Sequence, residues 1–406
     1  MRTVDYLIIS YASLPLPRPR SYQVAKLLKH LKGTFLLITS ESSRARNLDF
    51  SLDSYLNNVE NNTLRVRDKS DSSAARMLFN IIPALSQLPD KHLMWIPSVI
   101  TLAKRLKKKI LPKAIIAISR PETDLLIGMK FKKIFSVPLV VYFSDPWADR
   151  PYTHYTRFMK WVNSALEAKV IRNADLILFT NEDQQNMVMQ KYPEYIQRKS
   201  TSIEHCYDET LYPRCVNKEG RFVVRHMGNF FNYRSPEPFI KAIHLLVKDN
   251  PDLERQLLVE FFGQRPVEVQ KYIEELSLDH IIELKASVPY LESLKLMSSA
   301  DLLLLIDTES EHDTFYNTFF PSKLVDYMGA KKDILGIASK NSPSARIIKS
   351  YGGQVFSSRQ VEDIAKFMLT AIRYRRVFRP NLSELKKYEA GTVAYEFEKI
   401  VPHGMT

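Results

Sequence analysis

The feature that most constrains this chain is the rhythm of its short, continuously apolar runs. Five occur in the first half: VDYLIISY (4–11), TFLLITS (34–40), AIIAIS (114–119), PLVVYF (138–143) and DLILFT (175–180). Amphipathic stretches such as 22–31 and 155–172 lie between several of them. A run that is apolar at nearly every position, rather than at every second one, belongs to a strand covered on both faces. Strands separated by helices in this way are parallel. The pattern predicts a doubly wound α/β domain. A second series follows: RFVVRHMG (221–228), LLVEFFG (257–263), IIELKA (281–286), DLLLLID (301–307) and DILGIA (333–338). The expected architecture is two tandem Rossmann-like doubly wound parallel-sheet domains. Their expected bounds are 1–205 and 221–385, with a linker at 206–220 and a closing helix and tail at 386–406. In open parallel sheets ligands bind beyond the carboxyl ends of the strands. The cleft between two such domains is therefore the expected site.

Length agrees with two domains, since 406 residues exceed what one ordinary core organises. Cys206 and Cys215 are the only cysteines and fit no zinc spacing, which points to a reducing, cytoplasmic setting. The apolar run near the N-terminus is too short to span a bilayer and reads as a buried first strand. Charge is unevenly placed. Residues 1–200 carry 31 Lys and Arg against 17 Asp and Glu, while the whole chain has a net charge of +13. A basic half facing a near-neutral half suggests an anionic partner for the first.

The most informative short stretch is FFPSKLVDYMGAKKDILGI (319–337). Proline suits the first position of a helix, where its missing N–H is no loss. The N–H groups of Ser322, Lys323 and Leu324 would then point out of the helix start and, with the helix dipole, form an anion site. Lys323 adds a full positive charge. Asp326 lies one turn after Ser322 on the same face. A carboxylate there is poorly placed for a phosphate but suited to accept two hydrogen bonds from an adjoining ribose diol. Leu324 and Met328 supply an apolar pair for the core. The plainer alternative is an ordinary helix with a solvated Asp326.

FPSKLVDYMGAKKDILGI resembles the donor-binding segment of retaining glycosyltransferases of family 4, which have the two-domain GT-B fold. Further stretches match in order: PDKHLMWIPSVITLAKRL (89–106), YFSDPW (142–147), ADLILFTNED (174–183), HMGNFFNYRSPEPFIKAI (226–243), FFG (261–263) and SADLLLLI (299–306). YFSDPW resembles members that build bacterial surface polysaccharides, such as lipopolysaccharide or capsule. The resemblance implies that Asp326 binds the nucleotide ribose and that the backbone of Ser322, Lys323 and Leu324 holds the diphosphate. It implies that Gly228, Asn229 and Gly263 line the nucleotide sugar at the strand ends. Arg234 and Lys323 would neutralise the leaving diphosphate, with no metal and no other cofactor. Where the family has Glu at the ribose position, this chain has Asp326. Where many members place a second acid eight residues earlier, it has Thr318, with Glu311 or Asp313 as the nearest substitutes. The position for a cation directly after Gly228 is Asn229, which leaves Arg234, or alternatively Arg225, for that task. ASLPLPRPRS (12–21) stands in place of a glycine-rich first loop.

The basic half bears on the acceptor. WIPSVITLAKRLKKKILPK (95–113) puts five basic residues between Lys104 and Lys109, and such a helix suits an anionic membrane surface. A helix buried on one side with a solvated basic end is the alternative. GMKFKKIFSVP (128–138) and TRFMKWVNSALEAK (156–169) mix basic and aromatic residues in the same way. Peripheral attachment to the inner leaflet, with a glycan or polyprenyl-diphosphate-linked acceptor, is the expectation. Asp145 follows a strand and is expected to orient the acceptor or the reacting sugar. Arg120 and Glu122 also follow a strand, and His205 reads as a hinge or packing residue. The leading expectation is a hexosyltransferase using a UDP- or GDP-linked sugar. The competing ones are a nucleotide-sugar epimerase or hydrolase, a subunit that has lost catalysis, and a nucleic-acid-binding protein. The last is disfavoured because no recognition helix or base-stacking signature accompanies the charge.

Overall fold

The computed structural model describes residues 1–41, 47–70, 72–150, 155–214, 220–230, 234–309, 318–375 and 379–401. The chain divides into two compact units, Met1–His205 with Ala390–Thr406, and Cys206–Glu389.

The first unit holds a seven-stranded sheet: β1 Arg2–Ile9, β2 Phe35–Ser40, β3 Thr63–Val66, β4 Ile110–Ile118, β5 Leu139–Tyr142, β6 Leu176–Phe179 and β7 Ser200–Ser202. The order is β3-β2-β1-β4-β5-β6-β7, with every pairing parallel. The chain leaves β1 toward one edge and β4 toward the other, so the switch point lies between their carboxyl ends. Trp95, Phe131, Phe143, Trp147 and Phe179 are buried in the core. The expected apolar runs formed β1, β2, β4, β5 and β6. β3 and β7 were not foreseen. They are short edge strands whose residues are all half-exposed, so they lack the doubly covered pattern.

The second unit holds a six-stranded sheet: β8 Phe222–Met227, β9 Leu257–Phe262, β10 Ile282–Lys285, β11 Leu302–Ile306, β12 Asp333–Ile337 and β13 Gln354–Phe356. The order is β10-β9-β8-β11-β12-β13, again wholly parallel, with the switch point between β8 and β11. Phe222, Phe239, Phe261 and the leucines of β11 fill its core. Only the edge strand β13 escaped the sequence reading.

Two expected boundaries shift. The stretch read as a linker from 206 is built into the second unit as far as Tyr212. The Tyr207 amide donates to the Tyr388 carbonyl at 2.9 Å, and the Tyr212 hydroxyl donates to the Asp326 carbonyl at 3.1 Å. Cys206 is buried, while Cys215 lies outside the described residues. At the other end Lys386–Tyr388 stays with the second unit, and the closing helix Ala390–Ile400 belongs to the first. Glu398 on that helix accepts from the Gly33 amide at 2.7 Å.

The helix Trp95–Leu106 also differs from the membrane-surface expectation. Trp95, Val99, Ala103 and Leu106 form one face and all are buried. That face is occupied by the core, and the basic side chains Lys104, Arg105, Lys107, Lys108 and Lys109 meet solvent. Among the described residues no helix is long and apolar enough to cross a membrane.

Candidate functional site

The second unit gathers most of the expected site residues at its switch point. β8 ends at Met227, whose amide donates to the Tyr327 hydroxyl at 2.7 Å; that hydroxyl donates to the Leu304 carbonyl at 3.2 Å. Burial pushes the Tyr327 phenol well up, so it stays protonated and serves as a fixed donor. Gly228 follows with φ +118°, a conformation that glycine adopts without strain. A Cβ there would lie 3.3 Å from Lys323 Nζ, so the bare backbone makes room for that ammonium. Gly263 ends β9 with φ +151°; a Cβ on it would stand 2.8 Å from both the Gly228 carbonyl and Asn229 Oδ1. Asn229 Oδ1 accepts from the Gln264 amide at 2.8 Å. Asn229 thus ties the two strand-end loops together.

Lys323 comes from the helix Ser322–Gly329. Pro321 sits one position earlier than expected, as the N-cap, so Ser322 opens the helix. The Leu324 amide is not available to a ligand, because it donates to the Pro321 carbonyl at 2.9 Å. This tight first turn leaves Ser322 and Lys323 as the amides of the cradle. Lys323 Nζ lies 3.2 Å from His226 Nε2, and among the described residues no carboxylate lies within ion-pair distance of it. Burial, and then the charge of Arg234, push its pKa down to about 7.

Arg234 Nη2 meets Asp307 Oδ1 at 3.0 Å. Asp307 is buried just past β11. It also accepts from the Thr308 amide at 2.8 Å and from the Ser344 hydroxyl. Among the described residues Arg234 therefore has a carboxylate partner and Lys323 has none. Arg225 is not the alternative cation. It is buried on β8, with Nε 2.6 Å from Glu260 Oε2 and Nη1 donating to the Leu296 carbonyl and to Ser299 Oγ.

Asp326 is 6% exposed, so the solvated reading fails. Its Oδ1 accepts from the buried Tyr290 hydroxyl at 2.8 Å. Burial and the Asp326 charge hold the Tyr290 phenol well above its ordinary value, which keeps it a donor. Leu324 and Met328 are buried as expected. Thr318 is half-buried, while Glu311 and Asp313 lie outside the described residues. Glu309, the next acid after Asp307, accepts from the Ser358 amide at 2.6 Å.

The strand ends of the first unit are furnished differently. Asp145 lies beyond β5, and its Oδ2 is 3.0 Å from Arg120 Nε, beyond β4. Arg120 itself has φ +75°, a conformation side-chain-bearing residues rarely hold. Glu122 pairs with Arg150, and Asp90 accepts from the Thr123 amide and hydroxyl, each at 2.8 Å. Asp124 is fully buried and accepts from the Tyr11 amide at 2.8 Å. Burial, with Asp90 and Glu122 nearby, pushes its carboxyl well up. His205 is buried at the end of the first unit, and burial holds it well below its ordinary range.

Sequence reasoning missed His226, Asp307, Ser344, Tyr290 and Tyr327 as site residues. A signal existed for two of them. His226 is a polar residue inside the apolar run RFVVRHMG, and Asp307 closes DLLLLID at a strand end.

No protein-family model matches the chain, and no curated protein matches it by sequence. Solved structures do match. The chain superposes on Alr3699/HepE of Anabaena, solved in complex with UDP and glucose, with a TM-score of 0.66 at 15% identity, covering 98% of both chains. The lipopolysaccharide outer core galactosyltransferase WaaB gives 0.59 at 10% identity over 98% of both. A UDP-N-acetylglucosamine 2-epimerase gives 0.55 at 12% over the whole of both. At these identities the likeness is one of fold: two Rossmann-like parallel-sheet units, as in GT-B proteins.

Proposed function

We propose that this chain is a glycosyltransferase of the family 4 type. In this reading it moves a sugar, with retention of configuration, from a UDP- or GDP-linked donor. The acceptor is a glycan or polyprenyl-diphosphate-linked glycan in bacterial surface-polysaccharide synthesis. The carrying observation is Lys323, an ammonium without a carboxylate partner among the described residues, set beside Gly228 at the sheet's switch point. A half-buried cation with no carboxylate beside it favours an anionic ligand. The anion that fits there is a diphosphate, held by the Ser322 and Lys323 amides, the helix dipole and Lys323. UDP is the first candidate nucleotide, given the UDP seen in the HepE complex. Asp326, held by Tyr290, is the proposed ribose partner, and Gly228, Asn229 and Gly263 the backbone rim.

In the proposed reaction the bond between the sugar's anomeric carbon and the donor phosphate breaks, and the diphosphate leaves with the electron pair. The acceptor oxygen attacks from the same face, and its proton passes to the departing phosphate oxygen. Lys323 and Arg234 stabilise the charge that develops there, so no metal ion enters this reading. Asp145, oriented by Arg120, is proposed to position the acceptor. Thermal-shift titration with UDP, GDP and their sugars tests the donor site, since a binder raises apparent stability. NMR of the product tests the stereochemistry, and an inverted product overturns the mechanism.

A second reading rests on the fold shared in full with a UDP-N-acetylglucosamine 2-epimerase. Incubation with UDP-N-acetylglucosamine alone separates the two: an epimerase converts it without acceptor, a transferase does not.

The proposed membrane partner moves to another helix. Arg157–Asn173 exposes Phe158 and Trp161, the latter 67% exposed, alongside Arg157, Lys160, Lys169 and Arg172. Its only acid, Glu167, is buried. Gln87, past the helix Ser73–Ile81 with its exposed Met77 and Ile81, accepts from Asn163 Nδ2 at 3.1 Å. Aromatic and basic groups without exposed acids suit the headgroup region of an anionic bilayer. Peripheral attachment on the cytoplasmic side follows from this reading.

A further inference from the structure

Lys323 is held by a neutral base rather than by an acid. His226 is buried at the end of β8, and its Nδ1 lies 2.9 Å from the Leu304 carbonyl of the neighbouring strand β11. A carbonyl only accepts, so Nδ1 carries the ring proton and Nε2 presents its lone pair to Lys323. Phe230 stacks on the imidazole at 4.7 Å and 22°, and Phe261 meets it edge-on at 6.2 Å, which fixes the ring plane. Burial and the nearby Lys323 charge keep His226 well below its ordinary range, so the ring stays neutral when Lys323 is protonated. The other charged groups around the ammonium are committed. Asp307 is bound by Arg234 and Ser344, Asp326 by Tyr290, and the Tyr327 hydroxyl bridges Met227 and Leu304.

We propose that His226 is a positioning residue: it holds the Lys323 side chain folded against Gly228, where an arriving diphosphate supplies the counter-charge of the ammonium and draws a proton from solvent onto whatever fraction of the amine is neutral. The proposal rests on the nucleoside diphosphate reading of the site. Its physical content is linkage. Burial beside Arg234 lowers the Lys323 pKa to about 7, so above that pH a growing fraction is neutral. A diphosphate binds the protonated form. Affinity is therefore fullest below pH 7 and falls as pH rises through it, approaching tenfold per pH unit. Replacing His226 by an apolar ring removes the acceptor. Lys323 is then free to leave the pocket and titrate as an ordinary lysine.

The test is calorimetric titration of the full chain with UDP from pH 6 to 9, in two buffers of different ionisation enthalpy. Lys323→Arg serves as the reference, because arginine does not titrate here and the proton exchange of UDP itself is common to both. Wild type takes up protons in excess of Lys323→Arg at pH 8, and only wild type loses affinity steeply between pH 7 and 9. His226→Phe weakens UDP binding about tenfold at pH 6.5 and flattens the profile, since a lysine in solvent keeps its charge to pH 9. His226→Gln, which keeps an acceptor, restores both affinity and slope. Equal proton uptake in wild type and Lys323→Arg overturns the proposal, as does a His226→Phe variant that matches wild type. If no nucleotide binds wild type at any pH, the donor-site reading itself falls and takes this inference with it. A pH-independent UDP site removes the inference alone.

Discussion

The two sheets have matching centres, β1 beside β4 and β8 beside β11, yet their strand ends are charged differently. In the first unit charges are answered: Arg120 by Asp145, Arg150 by Glu122. Asp90 is bonded to Thr123, and Asp124 is buried with its carboxyl pushed toward the neutral form. In the second unit Asp307 answers Arg234, while Lys323, with no carboxylate partner among the described residues, leans on a neutral ring. The fold fixes where a ligand sits, and side chains decide what charge it carries. A balanced polar edge suits a hydroxyl-rich acceptor, whereas a lysine without a carboxylate partner suits a diphosphate.

The sharpest way to break this contrast is Lys323→Ala. Charge-assisted hydrogen bonds contribute about 1.5–3 kcal/mol each, so UDP affinity should fall about a hundredfold at pH 6.5. Asp145→Asn should instead lower turnover with acceptor while leaving the UDP dissociation constant in place. Calorimetry beside a coupled transfer assay reads both. If Asp145→Asn weakens UDP as much as Lys323→Ala, the division of labour between the units is wrong.

Gly263→Ala probes the second unit's frame. The added methyl would press on the Gly228 carbonyl and Asn229 Oδ1 from a backbone with positive φ. A loss of about 1–3 kcal/mol is expected, read as a lower midpoint in urea. On the first unit, the double substitution Phe158→Ser with Trp161→Ser should reduce binding to phosphatidylglycerol vesicles about tenfold, with stability changed by less than about 0.5 kcal/mol. Equal sedimentation of wild type and variant with those vesicles removes the helix Arg157–Asn173 as the membrane contact.

The centres of both sheets were legible because β1, β4, β8 and β11 are buried on both faces, and burial writes an apolar run into the sequence. TLRV, STS and QVF were not legible, because an edge strand has one covered side and few residues to show it. Lys323 was read from the local helix start, and Gly228 and Arg234 were named from the resemblance. Their partners were not, since Asp307 lies 73 residues from Arg234 and His226 97 from Lys323. Such pairs exist only after β8 and β11 are brought side by side. The one-residue error at Pro321 has a local cause: the tight Leu324-to-Pro321 bond sets the helix start, and proline serves as either cap or first residue.

The smallest expected effect tests whether the first unit's edge is as neutral as it looks. Asp124 is buried with acidic neighbours, and its carboxyl is held well above the ordinary value. The native state therefore keeps a proton that the unfolded chain gives up near pH 4. Where the native state binds more protons, stability falls as pH rises. That loss begins at the unfolded carboxylate's pKa and ends at the raised native one. Asp124→Asn keeps an oxygen for the Tyr11 amide and has nothing to ionise. In urea unfolding the variant should stay within about 1 kcal/mol of wild type at pH 4 and gain on it steadily toward pH 8. Parallel curves would mean that Asp124 is ionised in the native unit. The first sheet's edge would then carry a buried negative charge, and the contrast with the second sheet would be stronger than the paired residues alone suggest.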